Sequence, residues 1–320
     1  MENRLPTLLS QNAERLPFFK GSASAELLRT GISNVAVKVA SQNKPYIVKF
    51  AIAPASRQTV FIQANYEKRL ESRIKKLKIT PEVYSFGIVT IAGQKFPYSI
   101  QQFLEGRELD YGKDLGLLAA SMHILHSKTH GKSNICDYKV LRPAEYLLRH
   151  SREDSCNVKL EALAKFTSYA SGRLIENKPE KDYLCLIHND LTPENVLISN
   201  GRAMPIDWGW AMYSSAAFDL CNAISPFTTS WEKKYFLSGR QIEKFLGAYF
   251  KKYPNPDRKV ILDSLAAYWP AYNSLIGNWI YNEFLGEHAP KHRMHLLGKG
   301  FIESALAYIK KIHPLLEKME

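Results

Sequence analysis

Paired cysteines and long hydrophobic runs are both missing from this sequence of 320 residues. Its four cysteines lie far apart and form no Cys-x-x-Cys pair, which argues against a zinc site and a disulfide framework. No apolar stretch approaches the roughly 18 residues that a membrane-spanning helix needs. The first residues contain an acid and an early proline without an apolar core, which is not the pattern of a signal peptide. We therefore expect a cytoplasmic location and no insertion into a membrane.

Nucleic-acid-binding motifs are missing as well, since the sequence contains no RNP-type motif, zinc finger or basic heptad region. The net charge is nevertheless +12 at pH 7. The basic residues are spread along the whole chain, so we interpret them as a solvated surface and expect no nucleic-acid partner. A basic surface also suits an enzyme whose co-substrate is a tri-anion.

The sequence also lacks internal repeats and low-complexity segments. This lack argues against a fibrous or disordered protein. Hydrophobic residues make up 45% and charged residues 23% of the chain, near the usual balance of a folded globular protein. The length allows about two domains.

The first hundred residues have the pattern of an α+β domain. Val35, Val37 and Val39 alternate with small or polar residues, which predicts a strand. A turn signal at 43–45 leads to a second strand at 46–50. The other elements predicted here are a helix at 60–77 and strands at 83–89 and 98–103.

After Gly106 the periodicity becomes mostly helical. Two short apolar runs, at 184–187 and 196–198, predict small strands around a polar loop. The fold class that we predict is α+β, with a small five-stranded domain that has one helix and a larger, mostly helical domain. The predicted helices of the larger part begin with those at 115–125, 143–150 and 160–175.

The polar loop between the two short strands carries the clearest chemistry. Residues 188–195 read HNDLTPEN, and Asp207 follows in the sequence IDWG. Metal-assisted phosphoryl transfer needs one carboxylate to orient the acceptor hydroxyl, and an amide oxygen and a second carboxylate to hold Mg²⁺. Asp190, Asn195 and Asp207 match these three roles by residue type and order.

The pattern H-x-D-x4-N at 188–195, followed by Asp207, resembles the catalytic and metal-binding loops of the aminoglycoside phosphotransferase and choline kinase family. The resemblance covers nearly the whole chain in the expected order. It implies a bilobal, protein-kinase-like fold with a nucleotide-binding N-lobe at 1–102. A helical C-lobe at 103–320 would hold the catalytic loop, the metal-binding loop and the acceptor site.

The same resemblance implies the residues that bind ATP, with the backbone of the connector at the adenine edge. These residues are Ser33, Asn34, Lys49, Glu67, Gln102 and Leu104. A lone strand lysine is often only a surface group, so the role of Lys49 depends on the downstream motif. Glu67 has physical support, because it shares a helix face with Leu70 and Ile74 and needs a cationic partner there. Glu71, one turn later, is the alternative partner of Lys49.

His188 and Asp219 are interpreted as structural support for the catalytic loop. Mg²⁺ prefers oxygen ligands, which argues against a metal role for His188. Asp219, within the sequence FDL, would accept hydrogen bonds from backbone N–H groups of the loop.

Two departures from the protein-kinase pattern concern the substrates. Residues 31–34 read GISN, which is not the Gly-rich loop of protein kinases, so less of the phosphate is covered. Position 208 is Trp where protein kinases have Phe, and no Ala-Pro-Glu follows. Protein substrates are therefore not expected.

The acceptor site is predicted from an aromatic helix, 268–284. Tyr272, Trp279 and Glu283 recur on one helix face. One interpretation is a helix that faces the core, and the other is an aromatic wall with an acidic end for a cationic acceptor. Trp208 and Trp210 flank the metal loop and would contribute to that wall.

The sequence thus predicts an ATP- and Mg²⁺-dependent kinase of a small hydroxylated molecule, such as choline, a similar amino alcohol or an aminoglycoside. The alternative is a non-catalytic nucleotide-binding or scaffold protein that has kept the fold. The presence of Lys49, Asp190, Asn195 and Asp207 together favours the enzyme.

Overall fold

The computed structural model describes residues 5–30, 34–52, 66, 68–156, 158–229, 235–285 and 299–319. The chain divides into two compact units. The first contains Met1–Arg107 and Ile206–Gly209, and the second contains Glu108–Pro205 and Trp210–Glu320.

An antiparallel sheet of five strands forms the centre of the first unit, in the order β1-β2-β3-β5-β4. Two-residue turns join β2 to β3 and β4 to β5. Gln42 and Asn43 have φ values of 52° and 60° in the first turn, the left-handed backbone that matches the twist of such hairpins. The strands are β1 Ala23–Thr30, β2 Asn34–Ser41, β3 Lys44–Ala51, β4 Val83–Ile91 and β5 Gln94–Gln102.

One face of this sheet packs against a helix. Val35, Val37 and Val39 are fully buried and pack in one cluster with Leu9 and Ala13. Those two residues belong to helix α1 (Leu5–Ala13), which the sequence analysis did not predict. Helical residues 68–74, here α2, continue into a 3-10 turn at Lys75–Leu77.

The second unit is mostly helical and contains the larger core. Its longest helix, α9, packs against α4, α5, α6 and α10, so apolar residues are needed on most of its surface. The helices are α3 Leu115–Thr129, α4 Pro143–Ser155, α5 Glu161–Glu176, α6 Ala216–Ile224, α7 Pro226–Thr229, α8 Gly239–Phe250, α9 Asn255–Phe284 and α10 Lys299–Glu317.

Short strands of the second unit frame the polar loop. β7 pairs antiparallel with β10, and β8 pairs antiparallel with β9 through the turn at Asn200 and Gly201. The predicted α+β class, with a five-stranded sheet and a larger helical part, is confirmed. The short strands are β6 Arg107–Glu108, β7 Leu184–Ile187, β8 Val196–Ser199, β9 Arg202–Pro205 and β10 Met212–Ser215.

Candidate active site

The polar loop at 188–195 connects β7 to β8 in the second unit. Its last part, Pro193–Asn195, is a 3-10 turn. Asn189 has a φ of 62°, a left-handed conformation that asparagine tolerates better than most residues. Such strained backbone persists only where surrounding contacts hold it.

A buried carboxylate supplies those contacts. Asp219 on α6 is fully buried, and its Oδ2 accepts a hydrogen bond from the backbone N–H of His188 at 2.9 Å. Its Oδ1 accepts one from the N–H of Asn189 at 2.6 Å. His126 Nε2 lies 3.0 Å from Asp219 Oδ2. Asp219 therefore connects the start of the loop to helix α3.

Further side chains hold the loop from the helical core. Asn222 Oδ1 accepts the N–H of Leu191 at 2.6 Å, and the hydroxyl of Tyr111 donates to the Leu191 carbonyl at 3.0 Å. The Tyr249 hydroxyl lies 2.7 Å from His126 Nδ1. Asn222, Tyr111 and Tyr249 were not singled out from the sequence, because no local pattern distinguishes the first and third from other helix residues, or Tyr111 from other turn residues.

Asp190 and Asn195 meet within the loop. The Asn195 amide, Nδ2, donates to Asp190 Oδ2 at 2.7 Å and to the Asp190 carbonyl at 3.3 Å. Because the nitrogen end of the amide is directed at Asp190, the oxygen end is directed away from it. This arrangement fixes the Asp190 carboxylate and presents an amide oxygen of the type that Mg²⁺ prefers.

Lys49 and Asp207 meet within the first unit. Lys49 Nζ lies 3.6 Å from Asp207 Oδ2, and the two side chains are 15% and 29% exposed. Asp207 has a φ of 65°, again a left-handed non-glycine residue. In the sheet, Lys49 lies opposite Ala36 on β2 and Ser99 on β5. The pair brings together a cation and a carboxylate, the two kinds of group that phosphoryl transfer uses against phosphate oxygens and a metal ion.

The other predicted nucleotide-binding residues are distributed around this sheet. Asn34 begins β2 opposite Ala51. Gln102 ends β5, and its N–H donates to the Glu82 carbonyl at 2.8 Å. Leu104 is half-buried in the segment after β5. Ser33 and Glu67 lie outside the described residues.

Glu71, the alternative partner of Lys49, is buried on α2. Burial raises the pKa of its carboxyl, and Lys75, Glu82 and Lys68 are its charged neighbours. The Lys68 ammonium donates to the carbonyls of residues 83 and 84 at 2.8 and 2.7 Å. This geometry places Glu71 beside the cations of its own helix.

The predicted acceptor residues separate into buried and exposed groups. Tyr272 is buried, and its hydroxyl donates to Asn189 Oδ1 at 3.1 Å, so it contacts the polar loop. Burial raises its pKa, which keeps the hydroxyl protonated. Trp279 and Trp210 are 44% and 62% exposed, whereas Trp208 is buried. Glu283 is half-buried near the end of α9.

The described residues contain neither a clustered metal site nor a membrane-spanning helix. Within the described part of the chain, no group of three or more His, Cys, Asp or Glu side chains is arranged to hold a metal ion. The two predicted magnesium ligands are an amide and a carboxylate, so they do not make up a group of that kind. Among the same residues, no helix is both long and apolar enough to cross a membrane.

The chain is similar to known phosphotransferases and kinases in sequence and in structure. Residues 24–259 match the model of the family described as "Phosphotransferase enzyme family". No curated protein sequence gives a significant match. An ethanolamine kinase from Plasmodium vivax is similar in structure, with a TM-score of 0.62, 15% identity, and coverage of 96% of this chain and 88% of that chain.

Two further solved structures are similar over nearly their whole length. A choline/ethanolamine kinase family protein from Mesorhizobium loti has a TM-score of 0.63 and 14% identity, with 99% of this chain and 95% of that chain covered. A variant of aminoglycoside phosphotransferase APH(4)-Ia in complex with ADP and hygromycin B has a TM-score of 0.63 and 14% identity, with 96% and 98% covered. These similarities confirm the predicted protein-kinase-like fold.

Proposed function

This chain belongs to the phosphotransferase enzyme family, and we propose that it transfers the γ-phosphate of ATP to a hydroxyl group of a small molecule. The observation that carries the proposal is the contact between Asn195 and Asp190 at 2.7 Å. It holds a carboxylate and an amide oxygen together on a loop whose backbone is anchored by Asp219. A loop that served only the fold would not need this polar pair.

Asp190 is the proposed catalytic residue. Its carboxylate is held by Asn195 through Oδ2, so it can accept a hydrogen bond from the acceptor hydroxyl and take its proton as the bond to phosphorus forms. The proton of the hydroxyl passes to Asp190, the hydroxyl oxygen forms a bond to the γ-phosphorus, and the bond from that phosphorus to the bridging oxygen breaks, so that ADP leaves. Asp219 supports the loop through the backbone of residues 188 and 189. His188 is the second supporting residue, and neither side chain touches substrate.

Lys49 is proposed to neutralise phosphate oxygens of the nucleotide. In the structure its ammonium is already paired with the Asp207 carboxylate at 3.6 Å, which keeps both groups in place. Asn195 and Asp207 are the proposed magnesium ligands, and their amide and carboxylate oxygens are suitable donors. Bound Mg²⁺ would supply positive charge against the phosphates.

Nucleotide binding is proposed for residues 1–102, with Ser33, Asn34, Glu67, Gln102 and Leu104 as contacts in addition to Lys49. Acceptor binding and the catalytic loop are proposed for residues 103–320. The cytoplasmic location stays a prediction from the sequence.

The proposed acceptor is a hydroxylated molecule with a positive charge. An ethanolamine kinase and a hygromycin B complex are among the structural neighbours, and both ethanolamine and hygromycin B contain hydroxyl and amino groups. Exposed tryptophan rings attract cations over their faces by about 0.5–2 kcal/mol. Of the residues predicted for this site, Trp210, Trp279 and Glu283 are proposed to contact the acceptor, and the buried Trp208 and Tyr272 to back the site from the core.

The first experiment measures ATP consumption with and without Mg²⁺ against choline, ethanolamine, aminoglycosides, macrolides, thiamine and sugar alcohols. Asp190→Ala should lower turnover by about 10²–10⁴-fold and leave ATP binding nearly unchanged, because the carboxylate contacts the acceptor. Asp182→Asn is the matched control, since Asp182 bonds to Ser264 and Tyr268 away from the loop. Equal losses of ATP affinity and of rate in Asp190→Ala would contradict the assigned role.

The alternative, a non-catalytic nucleotide-binding protein, predicts a different result. Its melting temperature would rise with ATP irrespective of Mg²⁺, and the protein would consume no ATP with any acceptor in the panel. The retained pairs Lys49–Asp207 and Asp190–Asn195 favour the enzyme, because a scaffold protein needs neither.

The acceptor assignment has its own test. Trp279→Leu and Glu283→Gln should raise the acceptor KM and leave the KM for ATP unchanged. Tyr169→Leu is the control, because Tyr169 is also an exposed helix aromatic, at 43% against 44% for Trp279. If both variants keep the wild-type acceptor KM, the exposed end of α9 is not part of the acceptor site.

A further inference from the structure

Helix α9 contains a proline in its interior, Pro270. Proline has no N–H group, so the carbonyl of Ala266, four residues earlier, loses the donor that an α-helix normally gives it. The ring of an interior proline also presses against that carbonyl and bends the helix there. A carbonyl left without a partner in a packed region destabilises the fold, so this turn of α9 needs a donor from another element.

A histidine of the neighbouring helix α10 supplies that donor. His313 is only 5% exposed, and its Nε2 lies 3.1 Å from the carbonyl oxygen of Ala266. A carbonyl can only accept, so the ring carries a proton on Nε2. Glu317 Oε1, one turn later in α10, lies 3.5 Å from the same nitrogen and favours the same tautomer, because a carboxylate is also an acceptor.

A second bond runs in the opposite direction between the same two helices. Trp269 is fully buried, and its Nε1 donates to the carbonyl of Ile309 on α10 at 3.1 Å. Trp269 directly precedes Pro270, and Ile309 lies one turn before His313. The proline turn of α9 is therefore joined to α10 by two side chains, one from each helix.

The proline turn is close in sequence to the contact between α9 and the polar loop. Tyr272 follows Pro270 by two residues, and its hydroxyl donates to Asn189 Oδ1 at 3.1 Å. Asn189 has a φ of 62° and directly precedes Asp190. A change in the bend at Pro270 would therefore move the Tyr272 hydroxyl relative to the loop.

We propose that His313 is a positioning residue for phosphoryl transfer, which replaces the missing helix donor at Pro270 and thereby holds Tyr272 against the loop that carries Asp190. The inference rests on the proposed function, because it assumes that Asp190 takes the proton of the acceptor hydroxyl. His313 touches no substrate in this role and acts through α9.

The test is a double-mutant cycle of His313→Phe and Pro270→Ala in the full chain. His313→Phe keeps a ring and removes the donor. It should raise the equilibrium constant of unfolding in urea by about tenfold and lower kcat by about tenfold, without changing the KM for ATP. Pro270→Ala restores an N–H group that can pair with the Ala266 carbonyl. In that background His313→Phe should change the unfolding constant and kcat by less than about twofold.

Two further variants separate positioning from stability. His313→Gln keeps an N–H donor and should retain kcat within about twofold of the wild type. Tyr308→Phe is the matched control, because the Tyr308 hydroxyl on α10 also donates to a carbonyl, that of Leu237 at 2.7 Å, and this bond does not involve α9. Tyr308→Phe should also raise the unfolding constant, but it should leave kcat unchanged and keep its full effect in the Pro270→Ala background.

The outcomes distinguish the inference from the proposed function. Equal effects of His313→Phe in both backgrounds, or a loss of stability with a wild-type kcat, would overturn the inference in an otherwise active enzyme. If His313→Phe alone does not fold, Pro270→Ala should restore folding, and a failure to do so would also overturn it. A wild-type chain that consumes ATP with no acceptor would contradict the proposed function itself, whatever the unfolding cycle shows.

Discussion

Replacement of Asp219 by asparagine is the sharpest test of how the proposed catalytic loop is held. The two carboxylate oxygens of Asp219 accept the N–H groups of His188 and Asn189 at 2.9 and 2.6 Å. An asparagine keeps one acceptor oxygen and replaces the other by an NH₂ group. That NH₂ would face a backbone N–H, so one loop donor must lose its partner.

The expected loss of stability follows from these contacts. A hydrogen bond to a charged group contributes about 1.5–3 kcal/mol, and a buried donor without a partner costs about 1–3 kcal/mol. Asp219 is fully buried, so water cannot replace the missing acceptor. In Asp219→Asn, one of the two hydrogen bonds to the loop keeps its acceptor oxygen but loses the negative charge on it. The other hydrogen bond is lost completely. We expect the free energy of unfolding to fall by about 3–5 kcal/mol.

The effect on catalysis is expected to exceed the effect on substrate binding. Asp190 follows directly after the two anchored residues, and a displacement of about 1 Å in a reacting group can lower the rate by about 10²-fold. The assays are urea unfolding followed by tryptophan fluorescence and steady-state kinetics with the best acceptor. We expect kcat to fall while the KM for ATP stays near the wild-type value.

Asp182→Asn is the control for removing a partly buried carboxylate. Asp182 accepts from the hydroxyls of Tyr268 and Ser264 at 2.8 and 3.2 Å, and hydroxyls can rearrange toward an amide. Its unfolding free energy should therefore fall by about 1 kcal/mol or less, without a change in kcat. A loss of under about 1 kcal/mol in Asp219→Asn with a wild-type kcat would refute the anchoring role.

Three further predictions concern the nucleotide site and pH. Asp207→Ala should abolish the Mg²⁺-dependent part of ATP affinity and Asn195→Ala should weaken it, because a charged ligand contributes more than a neutral one; equal calorimetric affinities for wild type and Asp207→Ala would contradict this. Burial, and next to it the charge of Lys252, lowers the pKa of His123 from 6.5. The unfolded chain therefore binds the proton first, and the free energy of unfolding decreases as the pH falls below about 6.5. Urea unfolding should show a smaller acid loss in His123→Phe. Burial raises the pKa of Glu71 from 4.5, so its contribution to stability is lost as pH rises, and Glu71→Gln should stabilise more at about pH 7 than at about pH 4.

The elements that could be predicted from the sequence are those with a strong local signal. The alternation of Val35, Val37 and Val39 predicted β2, because these side chains form the buried face. Helix α1 was missed, since its buried side is short and its contacts with the sheet are not visible in its own sequence. The hairpin before β3 was expected at 43–45 and turns at Gln42 and Asn43 instead.

The site was predictable to the extent that its residues are close in sequence. Asp190 and Asn195 belong to one motif, and the structure joins them by a hydrogen bond. The contact between His126 and Tyr249 spans 123 positions, and that between Leu191 and Asn222 spans 31. Such partners are brought together by helix packing, which periodicity alone does not reveal.

Helix α9 shows why a shared helix face does not imply a shared environment. Tyr272 and Trp279 are seven residues, about two turns, apart and lie on the same side. Tyr272 is buried and donates to Asn189, whereas Trp279 is 44% exposed. The buried part of the helix therefore contacts the polar loop at 188–195, and the proposed acceptor contact belongs to the exposed part. The two roles should separate experimentally: Tyr272→Phe should lower kcat without changing the acceptor KM, and Trp279→Leu should do the reverse. Parallel changes in both variants would mean that α9 acts only through the core.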